Sequence, residues 1–572
     1  MKLYKFAIAL AIGTLSATSC TNLEENLYDQ VGSENYYNTR NDVIRAVFRP
    51  FEHGYWSIQS RHVLNELSAD QLITPSRDGW WDDGGLWRRY HYHTWTNEEG
   101  TIETEWNGCY QGIMQANYVI DDLETLSASQ FGFSTAEFNN LKAQCRTLRA
   151  WFYIRLLDFF RNIPLAVSKD VNLNSKGQVE PTEIFNFVES ELKECVELLS
   201  TKTSTGGNEL QQAQWNKAGA AALLVRLYLN AQAWIGTDRY ADCETWAQRI
   251  LNGEFGSYSL ADTWDASFDW DNEKCPEVIF AFPAAQGYTF WHYQGDTYWW
   301  STPSQFRYYV GDQKAEAGDH NCKYACTPSY DLSGNLYNYT LGNTVQKFRN
   351  YPDDVRLKLY RNTGDSRREG LFIFGKLPSV KEGEEFVTDP YGNYALDIRD
   401  AVGHFAGLTE GEWPEDKTSN LQSGDHNSGY HFAKYPFYAD DEQGQLESDF
   451  VEIRLAEVIY SLAEAKFRQG QKDEAAKLLN SVRKRNYPSS SWTTTLYAPE
   501  GNASLTEQEL LDEWGREFFA ESRRRTDLVR FGKFNSEAWW DKNVDADSHT
   551  AIFPIPRKAI DTNHNLVQNP GY

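Results

Sequence analysis

Two stretches of the chain interleave flat rings with hydrogen-bonding groups. The first is RDGWWDDGGLWRRYHYH, in which Trp80, Trp81, Trp87 and Tyr90 alternate with Asp82, Asp83, Arg88 and Arg89. The second, YTFWHYQGDTYWW, carries Trp291, His292, Tyr298, Trp299 and Trp300. A sugar presents apolar C–H faces and a rim of hydroxyls. Its site therefore wants rings to stack on and Asp, Asn, Arg or Gln beside them for paired hydrogen bonds. Trp80, Trp81, Asp83, Trp87, Arg88, Tyr90, Trp291, His292, Tyr298, Trp299 and Trp300 are the candidate ligand contacts. For any single ring the bland reading, a plug against the core, weighs about equally. Tyr430 and His431 form a weaker third candidate, and His91 and His93 read as structural.

Other chemistry finds little support. Asp269, Asp271 and Glu273 alternate in FDWDNE like the start of a calcium loop, but the glycine and bidentate glutamate of such a loop are missing. His320, Cys322 and Cys326 make half a zinc site with no second half. No nucleophile elbow, zincin, phosphate-loop or dinucleotide fingerprint occurs. With 81 acidic residues, acidic pairs arise by chance, and a net charge of −26 repels nucleic-acid phosphates.

Positioning these stretches falls to helices. Residues 453–486 show a 3.6-residue apolar period at Leu455, Ile459, Leu462 and Ala463, and again at Ala475, Leu478, Leu479 and Val482. Gly470 supplies the break between the halves. Two helices joined so closely lie antiparallel, and the spacing resembles a tetratricopeptide repeat. A second copy spans 215–253, and 141–160 with 181–199 is the candidate third, with a longer connection. Capping boxes at Ser134/Glu137 and Thr506/Glu509 open helices over 141–160 and 510–534. Residues 53–110 are hard to read as regular elements.

The predicted fold is mostly α, a right-handed superhelix of tetratricopeptide-like pairs with a large loop-rich insertion carrying short strands. The division is a signal at 1–19, a tether at 20–35, and a helical part at 36–255 with its aromatic loop at 71–105. The insertion occupies 256–450, and a C-terminal helical part and tail occupy 451–572. Aromatics at 15% in a chain of mean hydropathy −0.63 suggest that many rings serve a wet surface. Besides Cys20, seven cysteines without framework spacing read as buried small side chains.

Residues 1–19 have a basic start, an apolar run and small residues before Cys20, like a bacterial lipoprotein signal. Lipidation at Cys20 is favoured over an ordinary secretory signal because no other run is long enough to hold the chain at a membrane.

The C-terminal pattern REFFAESRRRTDLVRFGKF, the closing IFPIPRKAIDTNHNLVQNPGY, the segment NELSAD and the lipoprotein start together resemble the SusD/RagB family of Bacteroidetes outer-membrane lipoproteins. The resemblance covers essentially the whole mature chain. It implies a non-enzymatic nutrient-uptake protein, lipid-anchored on the extracellular face of the outer membrane. Such a protein captures an oligosaccharide ligand, or a peptide in some members, for a SusC-like TonB-dependent transporter, without nucleic acid or cofactor. Some relatives bind calcium, which leaves Asp269, Asp271 and Glu273 as weak metal candidates. It also places ligand contacts in the two aromatic stretches. An all-helical glycoside hydrolase is the rival from another class. Arg523, Arg524 and Arg525 are expected to pair with Glu517, Glu521 and Asp527 and lock the last long helix onto the repeats.

Overall fold

The computed structural model describes residues 36–201, 213–284, 299–311, 322–364, 367–409, 411–437 and 448–572. Cys20, the signal and the tether lie outside the described residues, as do His320, Trp291, His292, Tyr298 and the side chain of Trp299.

In chain order the helices include α1 (Arg40–Trp56), α2 (Ile58–Glu66), α3 (Leu86–His91), α4 (Gly100–Thr125), α5 (Thr135–Phe160), α6 (Pro181–Leu198), α7 (Lys217–Leu229), α8 (Ala231–Ile235), α9 (Tyr240–Leu251), α10 (Leu455–Arg468), α11 (Lys472–Arg483), α12 (Glu507–Glu517) and α13 (Arg524–Arg530). Short strands are β1 (Leu72–Ile73), β2 (Val278–Phe282), β3 (Ala325–Cys326), β4 (Phe372–Ile373), β5 (His431–Phe432) and β6 (Phe450–Arg454). Among the described residues strands pair only in two-stranded ladders. The fold is mostly helical, as the periodicity predicts.

Helices α4 to α7, α9, α10 and α11 pack each on the next. The α10–α11 turn falls at Gln469–Gln471, with Gly470 left-handed at φ 81°. The second copy, α7 to α9, stacks directly on α10 although some two hundred residues separate them in sequence. The outgoing β2 pairs antiparallel with the returning β6, Phe450 opposite Phe282 and Arg454 opposite Val278. This ladder is the neck of the insertion.

Several expectations need correction. Residues 53–110 contain α2 and α3. Eight of the nine α2 residues are buried, so the helix has no polar face and no period to reveal it. The rings are largely core: Trp151, Trp215, Trp514, Trp539 and Trp540 are fully buried. His431 is likewise buried in β5, and Tyr430 stacks on Phe374 at 4.8 Å, so the third ligand candidate is structural. The seven cysteines are buried and unbonded, as read.

The helix expected over 510–534 is two helices. Between them Ala520 and Ser522 take φ 58° and 59°, a conformation rare for residues with a Cβ. That turn aims the first N–H groups of α13 at Glu66. The Glu66 Oε1 accepts from Arg523 N at 3.0 Å and Arg524 N at 3.5 Å. Of the expected acidic partners only Asp527 is met, by Arg523 at 3.3 Å; the other pairings differ. Arg524 grips Asp70 with two bonds of 2.6 and 3.1 Å, Arg525 meets Asp158 at 3.3 Å, and Arg523 divides between Asp527 and Glu457. Glu517 and Glu521 instead hold Arg454 and Arg485 of the repeat and Lys434 of the insertion. The NELSAD and RRR segments are thus two halves of one clamp.

Burial pushes the Glu66 carboxyl up to about 7 against those two N–H donors. Burial also lowers His62 and His91 to about 3 and His93 to about 4. These rings serve packing, as the sequence suggests: His91 Nε2 donates to the Trp540 carbonyl, and His93 stacks on Phe534 at 4.2 Å.

Replacing Arg524 by Met strands the buried Asp70 and should cost about 3–5 kcal/mol in urea unfolding. Arg557→Ala, at an exposed pair with Glu98, should leave the midpoint in place. The pH dependence follows from the same groups. The unfolded chain charges its histidines near 6.5 while the folded one refuses until 4 or below, so stability falls as pH drops across that window. Glu66 acts oppositely: its contribution is full below the unfolded value of 4.5 and is lost as pH rises through about 7. Glu66→Gln should therefore raise the urea midpoint at about pH 8 and leave it unchanged at about pH 4. The opposite ordering would refute the assignment.

Candidate functional site

The aromatic loop and the insertion are joined by backbone before any ring meets another. β1 pairs with β3, Leu72 opposite Cys326, and Cys326 N donates to the Tyr430 carbonyl at 2.8 Å. Tyr324 N and Cys322 N donate to the carbonyls of Trp300 and Thr302 at 2.7 and 2.6 Å. The buried Arg77 guanidinium donates to the carbonyls of Cys322, Asp425 and Ser428 at 2.7, 3.1 and 2.6 Å. One side chain therefore ties three segments together beneath the loop.

Above Arg77 the backbone is strained. Asp78, Trp81 and Asp83 all have positive φ, at 51°, 61° and 42°, alongside glycines at 79, 84 and 85. Non-glycine residues held this way cost about 1–3 kcal/mol each and concentrate where a fold presents side chains for use. Here the effect is to turn successive indoles outward in different directions.

Those indoles form an arc. At one end Trp80 Nε1 donates to the Tyr391 hydroxyl at 2.9 Å, and the ring meets Tyr391 and His426 edge-on at 5.9 and 5.8 Å. Tyr391 is 67% exposed. Asp78 accepts from the Tyr394 hydroxyl at 3.0 Å nearby. At the other end Trp81 meets Trp300 edge-on at 6.0 Å. Lys323, buried, sits with its ammonium 3.9 Å from the Trp87 ring centre, 3.6 Å from Trp300 and 5.7 Å from Trp81. Such cation–ring contacts hold three indoles around one point. The rings border a hollow of about 420 Å³ that is also lined by Gln59, Ser60 and Val63 of α2, Leu86, and Thr101 and Thr104 of α4.

Of the residues singled out in the sequence, Trp81, Trp87 and Trp300 are brought together around Lys323, whereas Trp80 turns to Tyr391 and His426. Asp83 and Arg88 support them: Asp83 accepts from Trp87 Nε1 at 2.5 Å, and Arg88 pairs with Asp82. Tyr90 is a correction, since it is fully buried against Trp95 in the main core and cannot touch a ligand. Three residues apart, Trp87 and Tyr90 are neighbours on α3 and differ in depth: Tyr90, in the last turn, is packed into the core, while Trp87 stays partly buried at its rim. The acidic trio does not converge. Asp269 turns inward to Arg368 at 3.7 Å, while Asp271 and Glu273 approach Lys274 at 3.5 and 3.7 Å. Among the described residues no group of three His, Cys, Asp or Glu side chains could hold a metal.

Sequence reasoning missed Lys323, Tyr391 and His426. Lys323 lies between two buried cysteines, and nothing local marks it as the hub of three distant indoles.

A family model described as the SusD family matches residues 276–572, and one described as starch-binding associating with outer membrane matches 56–229. The chain belongs to the SusD family. It is 28% identical over 491 residues to the starch-binding protein SusD of Bacteroides thetaiotaomicron, covering 82% of this chain and 78% of that one. The SusD-like protein P2 of Formosa agariphila is 24% identical over 236 residues, 40% of this chain and 43% of the relative. Among solved structures, NanU of B. fragilis superposes with a TM-score of 0.64 at 16% identity, covering 95% of this chain and 99% of NanU. A laminarin-binding SusD-like protein gives 0.58 at 19% identity, over 94% and 100%. These likenesses establish the shared fold.

Arg77→Met should leave the buried carbonyls of Cys322 and Ser428 without this donor and that of Asp425 with Ser428 N alone. Limited proteolysis read by mass spectrometry should then show its earliest cuts within 78–85, where the parent resists. An unchanged cleavage pattern would remove Arg77 from its role.

Proposed function

We propose that this SusD-family protein is a cell-surface glycan-binding lipoprotein, anchored through Cys20, that captures oligosaccharide at the outer membrane without catalysis. A partner TonB-dependent transporter then receives the cargo. The observation that carries the reading is the convergence of rings from two separate excursions, Trp81 and Trp87 from one and Trp300 from the other, around one hollow that also carries hydroxyl and amide side chains. The starch and laminarin in the names of related proteins point to the same ligand class. No helix among the described residues is long and apolar enough to cross a membrane, which suits a lipid anchor. Asp82 and Asp83, the carboxylates nearest the rings, are engaged with Arg88 and Trp87. That engagement favours holding sugar over cleaving it.

Each stacked ring contributes about 0.5–1.5 kcal/mol by analogy with aromatic pairs. Two or three rings with a few hydrogen bonds give micromolar to millimolar affinity. Weak capture suits a protein that must release its cargo, and enclosure against a transporter would raise retention through effective concentration.

The test is native-gel retardation of residues 21–572, with Cys20 absent, by amylopectin, laminarin and other polysaccharides. Trp81→Ala and Trp300→Ala should each abolish or sharply weaken retardation while melting stays within a few degrees of the parent. Retardation lost only together with the fold would place these rings in the core. New reducing ends on incubation with polysaccharide would instead reveal an enzyme.

A further inference from the structure

The hollow has an open end. α1 and α2 run antiparallel to α4, and the line where they meet leads away from the hollow. His53 of α1 bonds the Gly108 carbonyl of α4 at 2.8 Å. The Trp56 ring lies over that same glycine, where a Cβ would come within 3.6 Å of the indole. Thr104, four residues before Gly108 on the same face of α4, lines the hollow. Trp56 therefore stands one helical turn, about 5–6 Å, beyond the hollow's edge.

Trp56 is 38% exposed, although its position at the end of a packed helix would allow burial. Ten residues past Gly108, about 15 Å further along α4, Tyr118 is 54% exposed. It stands at a groove of about 320 Å³ also lined by Arg49 and Pro50 of α1, Gln115 of α4, and Tyr36 and Tyr37. The seam thus reads hollow, Trp56, Tyr118, with polar side chains such as Gln59, Thr104 and Gln115 between the rings.

We propose that this seam is an extension of the glycan site, a track for the polymer beyond the units seated in the hollow, with Trp56 as its next stacking ring and Tyr118 at its far end. The inference rests on the reading of the hollow as a glycan site. Intermittent rings with hydrogen-bonding groups between them match a sugar chain, which offers C–H faces and hydroxyls in alternation. A protein partner is anchored by a central cluster of buried rings, which single rings about 15 Å apart along one helix seam do not make. Continuity with the hollow fixes the occupant as the same chain.

The experiment compares amylopectin and laminarin in affinity gels with maltotriose and laminaritriose in calorimetry. Trp56→Ala and Tyr118→Ala should each weaken retention by the polymer that binds the parent about two- to tenfold. The trisaccharide should bind both variants as it binds the parent. Trp56→Phe, which keeps a ring, should recover part of the loss. Trp300→Ala should weaken polymer and trisaccharide alike. If the Trp56→Ala/Tyr118→Ala double variant retains polymer as the parent does while Trp300→Ala does not, the track is wrong and the hollow stands. An equal loss of trisaccharide and polymer in Trp56→Ala would also overturn it, making Trp56 part of the hollow itself. Indifference of both ligands to Trp300→Ala would sink the reading of the hollow and the track with it.

Discussion

The structure depends on charge that has been taken out of water and fully paired. Arg454 lies under the repeat with carboxylates of Glu277, Glu517 and Glu521 around it, and Arg485 and Arg356 complete the cluster. A few residues away Arg483 and Arg516 share Glu513, and Arg61 and Arg226 share Glu452. Such groups stabilise little on balance, because desolvation opposes the Coulomb gain. What they impose is specificity: a misplaced helix would leave a bare charge in the interior. Arginine suits this use because its planar fork can serve two carboxylates at once.

That constraint explains why the family's sequence signatures lie where they do. The run at 523–525 and the acids of NELSAD sit at opposite ends of the chain, yet Glu66 and Asp70 meet Arg523 and Arg524 directly. Neither segment touches the aromatic arc. They set the angle between the helical frame and the loop that follows β1. The loop then needs only Arg77 to hold its base, and its strained residues can be spent on aiming rings.

The frame was legible because its helices each have one wet face. The periods at 455–482 and 217–250 and the capping box at Ser134 appear in the structure at their expected places. Legibility failed where that asymmetry disappears. α2 is buried on every side, and the break at 518–523 exists to satisfy a carboxylate more than four hundred residues away, which no local pattern records. At the site, residue type singled out Trp81, Trp87 and Trp300, which the structure gathers around Lys323, but type could not foresee that Trp80 turns to Tyr391 and His426 instead. Nor could type tell the half-buried Trp87 from the sealed Tyr90, since both are aromatic, sit three apart on one short helix and differ only in depth. Lys323 was invisible for the complementary reason: its role comes entirely from neighbours supplied by other segments.

The ladder between β2 and β6 has an evolutionary corollary. The chain enters and leaves the 282–450 excursion through this ladder, but the frame also grips the excursion through Arg356, Lys347, Lys434 and the β1–β3 pair, so only the loops strung between those anchors can be lengthened or shortened while the helices keep their stacking. Closing a longer loop costs only logarithmically more entropy. Loops can thus be rewritten one at a time, whereas a graft of the whole excursion must bring its own arginine and lysine anchors to keep the charges of the frame paired.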